Sequence, residues 1–193
     1  PLFPLNTVLF PDGYLPLRIF EQRYLDMVRD CSARGTCFGV CLIGNSAEPT
    51  RPATHHRVGT TAEICDFSTL DDGLLGITAK GRQKFIIKTT RMRDNGLLMG
   101  EVELLDKGTV VEVPEQYSVL SMVTARFMEL MGDHYPDFQP GRLQDASWVG
   151  YRLAEILPLD IEERQVLLQV SDPLERLQLL IDVLPRFQEA GDS

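Results

Sequence analysis

The hydrophobic period of the sequence changes once, close to residues 108–114, and this change constrains the fold more than any other feature. Before it, short apolar runs alternate with turn sequences such as Asp72-Gly73 and Asp94-Asn95-Gly96, as in β-hairpins. After it, apolar residues recur every three or four positions, as on the buried face of α-helices. The pattern predicts an α+β protein with a β-rich part (residues 1–107), a link (108–114) and an all-helical bundle (115–193).

The β-rich part is expected to contain one early helix among its strands. The buried face of this helix is predicted at Phe20, Tyr24, Met27, Val28 and Cys31, with Gly35 ending it. Strands are predicted at residues 6–10, 37–43, 58–67, 74–79, 85–92 and 98–105, and an exposed loop at 44–56. Along 58–67, Ala62, Ile64 and Asp66 should share one face and Glu63, Cys65 and Phe67 the other. Asp72-Gly73 predicts a type I′ turn, which needs positive φ at both residues.

The second part should form four helices joined by short links. The first carries the stripe Tyr117, Leu120, Val123, Phe127, Leu130 and Met131, and Gly132 should end it. The other three are expected to begin at acidic caps, at Asp145, at Asp160 with Glu163 as a capping box, and at Asp172 before Pro173.

Charge is distributed unevenly along the 193 residues. The chain has 19 basic and 28 acidic side chains, a net charge of −9. Residues 1–107 carry 13 of each, whereas residues 108–193 carry 6 basic and 15 acidic side chains. An acidic chain lacks the excess of cations that phosphate binding requires, which argues against a nucleic-acid partner. No apolar run reaches transmembrane length and the N-terminus lacks the features of a signal peptide, so we expect no membrane partner and a cytoplasmic location.

Sequence motifs of several enzyme classes are missing. The chain has no P-loop, no G-x-G-x-x-G, no G-x-S-x-G and no H-E-x-x-H. The remaining metal or nucleophile candidates are Cys31, Cys37, Cys41, Cys65, His55, His56 and His134. Because Cys37 and Cys41 fall in an apolar strand, buried cysteines are favoured over a zinc site or an activated thiol. We therefore predict no catalytic residue, no metal and no cofactor.

The densest positive stretch of the chain is a possible basic patch. It comprises Lys80, Arg82, Lys84, Lys88, Arg91 and Arg93. On a regular strand Arg82, Lys84 and Lys88 would share one face, and Phe85 and Ile87 the other. A solvated outer face is the favoured interpretation, and a patch that contacts RNA or an acidic protein is the alternative.

The segment from Pro11 to Tyr24 packs prolines, aromatic residues and charges into a strand-to-helix corner. A rigid corner, with Glu21 satisfied by an arginine or by the helix start, is the favoured interpretation. The same segment belongs to a longer motif, PLNTVLFP followed by LPLRIFEQRY (residues 4–11 and 15–24). This motif resembles the opening of the Lon protease N-terminal domain family, in particular its stand-alone bacterial members.

Further matches to this family follow in the same order along nearly the whole chain. They are Phe38-Gly39-Val40, Val58-Gly59-Thr60, Asp72-Gly73, Gly81-x-x-Lys84-Phe85, the Trp148–Leu153 stretch and Arg176-Leu177. The family commonly has arginine where this chain has Lys84. Arginine and lysine differ in bidentate and stacked contacts, so such a role is not carried over.

The resemblance implies a twisted, PUA-like β-barrel subdomain with one early helix, followed by a helical bundle. It also implies a non-catalytic module that recognises client or unfolded protein segments, or acts as an adaptor, through an apolar groove. The candidate protein-binding residues are Arg18, Glu21, Arg23 and Tyr24. An RNA-contacting PUA-like module that uses residues 80–93 is the alternative, and a weak homo-oligomer stays open.

Overall fold

The computed structural model of the protein describes residues 1–44, 55–131 and 134–188. These residues belong to two compact units, Pro1–Lys107 and Gly108–Ser193. Most of the predicted loop at 44–56, and Gly132, lie outside the described residues. Within the described residues, no helix has the length and apolar composition needed to cross a lipid bilayer.

The described residues of the first unit form one six-stranded sheet and one helix. The strands are β1 (Leu2–Leu5), β2 (Tyr14–Ile19), β3 (Phe38–Ile43), β4 (His55–Thr69), β5 (Leu75–Met92) and β6 (Leu98–Leu104). Their order is β1-β3-β4-β5-β2, and β6 pairs with the second half of β5. β1 pairs in parallel with β3, and the other pairs are antiparallel, so β4, β5 and β6 form the predicted meander.

The first strand lies earlier in the chain than the sequence pattern indicated. β1 occupies Leu2–Leu5, and the predicted strand at residues 6–10 is absent from the structure. Val8, Leu9 and Phe10 are nevertheless buried. These apolar side chains therefore fill the interior from an irregular segment, which is why apolar content alone misplaced the strand.

The early helix, α1 (Gln22–Arg34), covers one face of the sheet. Tyr24, Met27, Val28 and Cys31 are buried, and Gly35 ends the helix in the left-handed region with φ 60°. The four side chains join a cluster that also contains Phe3, Ile19, Phe38 and Val40.

A second cluster contains Leu2, Cys41, Phe85 and Ile87. Because neighbouring residues of β1 and β3 enter different clusters, these strands are buried on both faces, as predicted for β3.

Both hairpin turns differ from the type I′ geometry expected at Asp72-Gly73. Gly73 and Gly96 have φ of 79° and 78°, but the residues before them do not have positive φ. In each turn a backbone hydrogen bond of 2.9 Å closes a loop of three residues. Leu70 donates its N–H to Leu74 O, and Arg93 donates its N–H to Leu97 O. This is a type I turn followed by a glycine bulge, which requires positive φ at the glycine alone.

The residues predicted as two strands, 74–79 and 85–92, form the single strand β5.

Among its described residues, the second unit contains the four predicted helices and a short fifth α-helix. They are α2 (Ser118–Leu130), α3 (Ala146–Ile156), α4 (Ile161–Gln169), α5 (Pro173–Val183) and α6 (Pro185–Gln188). All three predicted caps are confirmed, because Asp145, Asp160 and Asp172 each accept backbone N–H groups at a helix start. Asp160 and Glu163 complete the capping box. Leu130, by contrast, was expected in the buried stripe of α2 but is exposed.

The predicted link is hydrogen-bonded within the second unit. Val113 donates its N–H to Gln144 O, and Ala146 donates to Val111 O, both at 2.9 Å. These bonds lie on either side of an isolated bridge between Glu112 and Asp145. Residues 111–113 therefore run antiparallel to the chain that leads into α3.

Candidate functional site

The corner between β2 and α1 presents an exposed aromatic side chain. Phe20 is 65% exposed, although it was expected on the buried face of α1. The helix begins only at Gln22, and Glu21 has extended backbone angles (φ −82°, ψ 135°). Phe20 therefore lies outside the helical repeat, and its side chain does not follow the apolar face that Tyr24 and Met27 form.

Arg23 holds this corner through three contacts. Its Nη2 lies 2.7 Å from Glu21 Oε2 and its Nη1 donates to Gly96 O at 3.1 Å. Its guanidinium carbon lies 4.7 Å from the centre of the Tyr24 ring. Because Gly96 belongs to the β5–β6 turn, Arg23 ties the start of α1 to that hairpin.

Tyr24 packs in the interior next to this corner. Its ring stacks on Phe3 with 3.9 Å between centroids, and the residue is buried. Loss of contact with water raises the pKa of its hydroxyl group. The predicted binding residues Glu21, Arg23 and Tyr24 are thus neighbours, and Tyr24 shows little surface to a partner.

Arg18 lies apart from this group. It is exposed on β2, and its guanidinium pairs with the carboxylate of Asp72 in the β4–β5 turn. Arg18 and Arg23 therefore contact different hairpin turns. The structure brings together three of the four candidate protein-binding residues and leaves Arg18 outside the group.

Phe67, a second exposed aromatic residue, was assigned to the wrong face of β4. Ile64 pairs with Ala79 and Asp66 with Thr78, so Cys65 is an extra residue in the ladder. This bulge reverses the alternation, and Phe67 comes directly opposite Ile77, which in turn pairs with Leu17 of β2. Phe67 therefore points to the face of the buried Ile77, yet it is 51% exposed. A bulge leaves no period-2 signal in the sequence, which is why the alternation missed it.

The possible basic patch is interrupted by burial and by ion pairs. Lys80 and Lys84 are buried, and the Lys80 ammonium nitrogen lies 5.2 Å from the centre of the Tyr14 ring. Arg82 pairs with Glu63, and Lys88 pairs with Glu103. Both pairs are largely exposed, and the hydrogen bond from Lys88 lowers the pKa of the Glu103 carboxyl group. The four cations thus do not present a continuous positive surface.

The expected common face of Arg82, Lys84 and Lys88 is wrong, because β5 is not a regular strand. Ala62 pairs with Gly81 but Thr60 pairs with Lys84, so β5 has one more residue than β4 between these positions. The ladder with β6 shifts again between Ile87 and Thr89. Each bulge reverses which face the following side chains take, and Lys84 is buried as a result.

The cysteines divide into two environments. Cys31 and Cys41 are buried as expected, whereas Cys37 and Cys65 are exposed, and the expected burial of Cys37 is therefore wrong. All four are free thiols. Burial raises the pKa of Cys41 to about 12, and desolvation followed by the charge of Glu63 raises that of Cys37. Neither thiol has the lowered pKa of an activated nucleophile.

The described residues contain no group of three or more side chains arranged to hold a metal ion.

Comparison with known proteins identifies the family. Residues 1–186 match the sequence model described as the ATP-dependent protease La (LON) substrate-binding domain. The chain belongs to this family. A crystal structure of a Lon N-terminal domain protein from Xanthomonas campestris aligns with a TM-score of 0.78 and 39% identity, over 94% of this chain and 96% of that one. The N-terminal domain of a Mycobacterium avium complex Lon protease has the same fold, with a TM-score of 0.67 and 16% identity over 94% and 95% of the two chains.

The LON substrate-binding domain accounts for only part of the longer relatives. The Lon protease of Xanthomonas oryzae pv. oryzae is 28% identical over 204 residues, which cover 95% of this chain and 22% of that protein. Across the first five Lon proteases compared, this chain spans 22–24% of their length. The expected family and α+β fold are confirmed.

The motif residues that carried the resemblance to the LON domain meet inside the sheet. A Cβ atom on Gly39 or Gly59 would lie 2.9 Å or 2.7 Å from the Phe85 ring. Phe85 is fully buried and pairs directly with Gly59 across β4 and β5. Two glycines from different strands thus make room for one aromatic ring. These motif positions are explained by packing, and Phe20 is the aromatic side chain of the opening motif that is exposed.

Proposed function

We propose that this LON substrate-binding domain is a cytoplasmic protein-binding module that recognises exposed apolar or extended segments of client proteins, or acts as an adaptor, without carrying out a reaction. The observation that carries the proposal is the family match over residues 1–186. The sequence adds that the chain has no P-loop. Binding alone is the role that these observations support together.

Phe20 is the proposed contact residue for the client. An aromatic side chain that stays in water on a rigid support can bury a large apolar area without losing much conformational freedom. The support is the group of Glu21, Arg23 and Tyr24, which is joined to the β5–β6 turn by the bond from Arg23 to Gly96. In this proposal Glu21 and Arg23 border the contact, and Tyr24 acts by holding the corner.

The edge strand β2 suits an extended client. β2 is the last strand in the sheet order, and the described residues contain no strand on its other side. Pro16 lies in the middle of β2, and proline is tolerated in strands whose free edge faces solvent. An unpaired edge can accept an extended peptide as an additional strand, with main-chain hydrogen bonds providing affinity. Phe20 follows directly after this strand.

Binding of an unfolded protein tests the proposal. The probe is a reduced and alkylated model protein that remains unfolded, and the same protein in its native state is the reference. We expect the unfolded form alone to bind the full chain, with a dissociation constant on the order of tens of micromolar. Phe20→Ala should weaken binding by about fivefold to tenfold, because removing an exposed aromatic anchor costs on the order of 1 kcal/mol or more.

Leu104→Ala is the matched control, since Leu104 is also an exposed apolar residue of the first unit. It should leave binding unchanged. Equal loss in both variants, or no binding of the unfolded probe, would refute the proposal. Tight, salt-sensitive binding of a single-stranded RNA would instead favour the RNA alternative.

A further inference from the structure

Helix α2 is apolar on two opposite sides. A surface helix of a globular protein normally has one apolar stripe that faces the interior and polar residues on the other side. The inner side of α2 follows this rule, with Leu120, Thr124 and Met128 buried. The outer side does not, and it carries large apolar side chains in contact with water.

The outer stripe of α2 consists of Val119, Met122 and Leu130, with Arg126 between the last two. At about 100° per residue these four positions fall within about a quarter of the helix circumference, opposite the buried face. Met122 is 64% and Leu130 68% exposed. Arg126 Nη1 lies 2.9 Å from Glu129 Oε2, so the cation within the stripe is offset by a carboxylate beside it. Grouped apolar side chains of this kind mark interaction sites.

The unit around the stripe presents negative charge. Residues 108–193 contain 15 acidic and 6 basic side chains. The six arginines all make contacts within the unit. Four pair with carboxylates, namely Arg126, Arg142, Arg152 and Arg186. Arg164 donates to a backbone carbonyl, and Arg176 is fully buried. A partner that approaches this unit therefore meets a predominantly acidic surface.

Acidic groups also flank the stripe. Glu115 is exposed one turn before Val119, and Glu129, which pairs with Arg126, lies near the other end. One carboxylate thus lies near each end of an apolar strip that is one helix wide.

We propose that the outer face of α2 docks an amphipathic helix of another protein that carries lysine or arginine beside its apolar stripe. Val119, Met122 and Leu130 occupy positions i, i+3 and i+11 of the helix, and Arg126 occupies position i+7 between the last two. This spacing matches that of contact residues between two packed helices. The negative net charge of the unit, together with Glu115 beside the stripe, selects a basic partner and disfavours a second copy, which would bring the same negative charge to the interface. This surface belongs to the second unit and does not depend on the client site at Phe20.

A designed peptide tests the proposal. The probe is a synthetic helix with leucine at alternating third and fourth positions and lysine elsewhere, and its binding to the full chain is followed by fluorescence anisotropy. The double variant Met122→Ser, Leu130→Ser should weaken binding by about tenfold or more, as expected for loss of central apolar anchors. Val166→Ser is the matched control, because Val166 is a half-exposed apolar residue on α4, and it should leave binding unchanged.

Three results would overturn the proposal. The first is equal binding of a scrambled peptide of the same composition, which would mean that charge alone attracts it. The second is unchanged binding by the double variant. The third is sedimentation of the wild-type chain as a dimer that the double variant dissociates, since a second copy would then cover this face. If the double variant is unstable, Met122→Gln, which keeps the length of the side chain, is compared with Val166→Ser in the same way.

Discussion

Arg176 illustrates how much a single buried residue contributes to the second unit. Its side chain is fully buried, with Nε donating to Leu167 O at 2.9 Å and Nη2 donating to Val170 O. The guanidinium lies 4.1 Å from the centre of the Tyr151 ring, and burial lowers the pKa of Arg176. The arginine thus satisfies carbonyl groups at the end of α4 from within α5, which explains the Arg176-Leu177 part of the family resemblance.

We expect Arg176→Ala to lower the free energy of unfolding by about 3 kcal/mol, because two buried carbonyl groups lose their donors and the ring of Tyr151 loses its cation. Urea denaturation measures the change. Arg126→Ala is the control, since the Arg126–Glu129 pair is largely exposed and should contribute less than about 0.5 kcal/mol. Similar losses in both variants would show that Arg176 acts only as a surface charge.

The helices of the second unit begin where the sequence predicted because their start signals are local. A helix cap needs an acceptor side chain and the backbone N–H groups of residues two or three positions later in the chain, so no distant residue is involved. In α4, Glu163 donates its N–H to Asp160 at 2.8 Å, and Asp160 donates its N–H to Glu163 at 3.0 Å.

Asp160→Ala should lower the free energy of unfolding by about 1 kcal/mol, the usual cost of removing a helix cap. Asp182→Ala provides the control at the other end of a helix. A negative charge near a helix C-terminus is unfavourable, and this offsets the loss of the exposed hydrogen bond from Gln178, so removal of Asp182 should change the free energy of unfolding by less than about 0.5 kcal/mol. Chemical denaturation at neutral pH measures both, and an equal loss would contradict the capping argument.

The contribution of Glu163 to this cap should depend on pH. The hydrogen bond from Arg186, followed by that from the Asp160 N–H, lowers the pKa of the Glu163 carboxyl group below its ordinary value of 4.5. A carboxyl pKa that is lower in the folded state gives stability above the ordinary value, and this stability is lost as pH falls through the lowered value. The difference in the free energy of unfolding between wild type and Glu163→Gln should therefore be present at pH 7 and shrink below about pH 4.

At the scale of the whole molecule, charge distinguishes the two units. The first 107 residues have balanced charges, and the net charge of −9 comes from the remaining 86 residues. Self-repulsion destabilises a compact acidic unit, and salt screens it within about 10 Å at 0.1 M. Salt should thus stabilise the two units unequally.

Raising NaCl from about 0.02 M to about 0.3 M should increase the hydrogen-exchange protection of amides in α2–α5 and leave those of β3–β5 nearly unchanged. Potassium chloride at the same ionic strength is the control, because screening does not depend on which monovalent cation is used. Equal gains in both units would mean that salt acts through apolar burial, and no gain in α2–α5 would mean that the acidic groups are too far apart to interact.

Features that depend on neighbouring residues could be predicted from the amino-acid sequence. The α+β class, the early helix with its Gly35 end, the buried strand β3, the meander and the three acidic caps all follow from spacing within one segment. The opening motif identified the family before any contact was known, because it is a long, specific string of residues.

Tertiary structure alone decided which side chains remain accessible. Bulges at Cys65 and near Arg82 reversed the faces of Phe67 and Lys84, and no local pattern marks them. Phe20 and Leu130 fit apolar stripes in the sequence, but the start of α1 and the geometry of α2 left both exposed. Side-chain exposure depends on the register between strands and on what packs beside each helix. These are contacts between residues far apart in the chain, and periodicity within a segment cannot contain them.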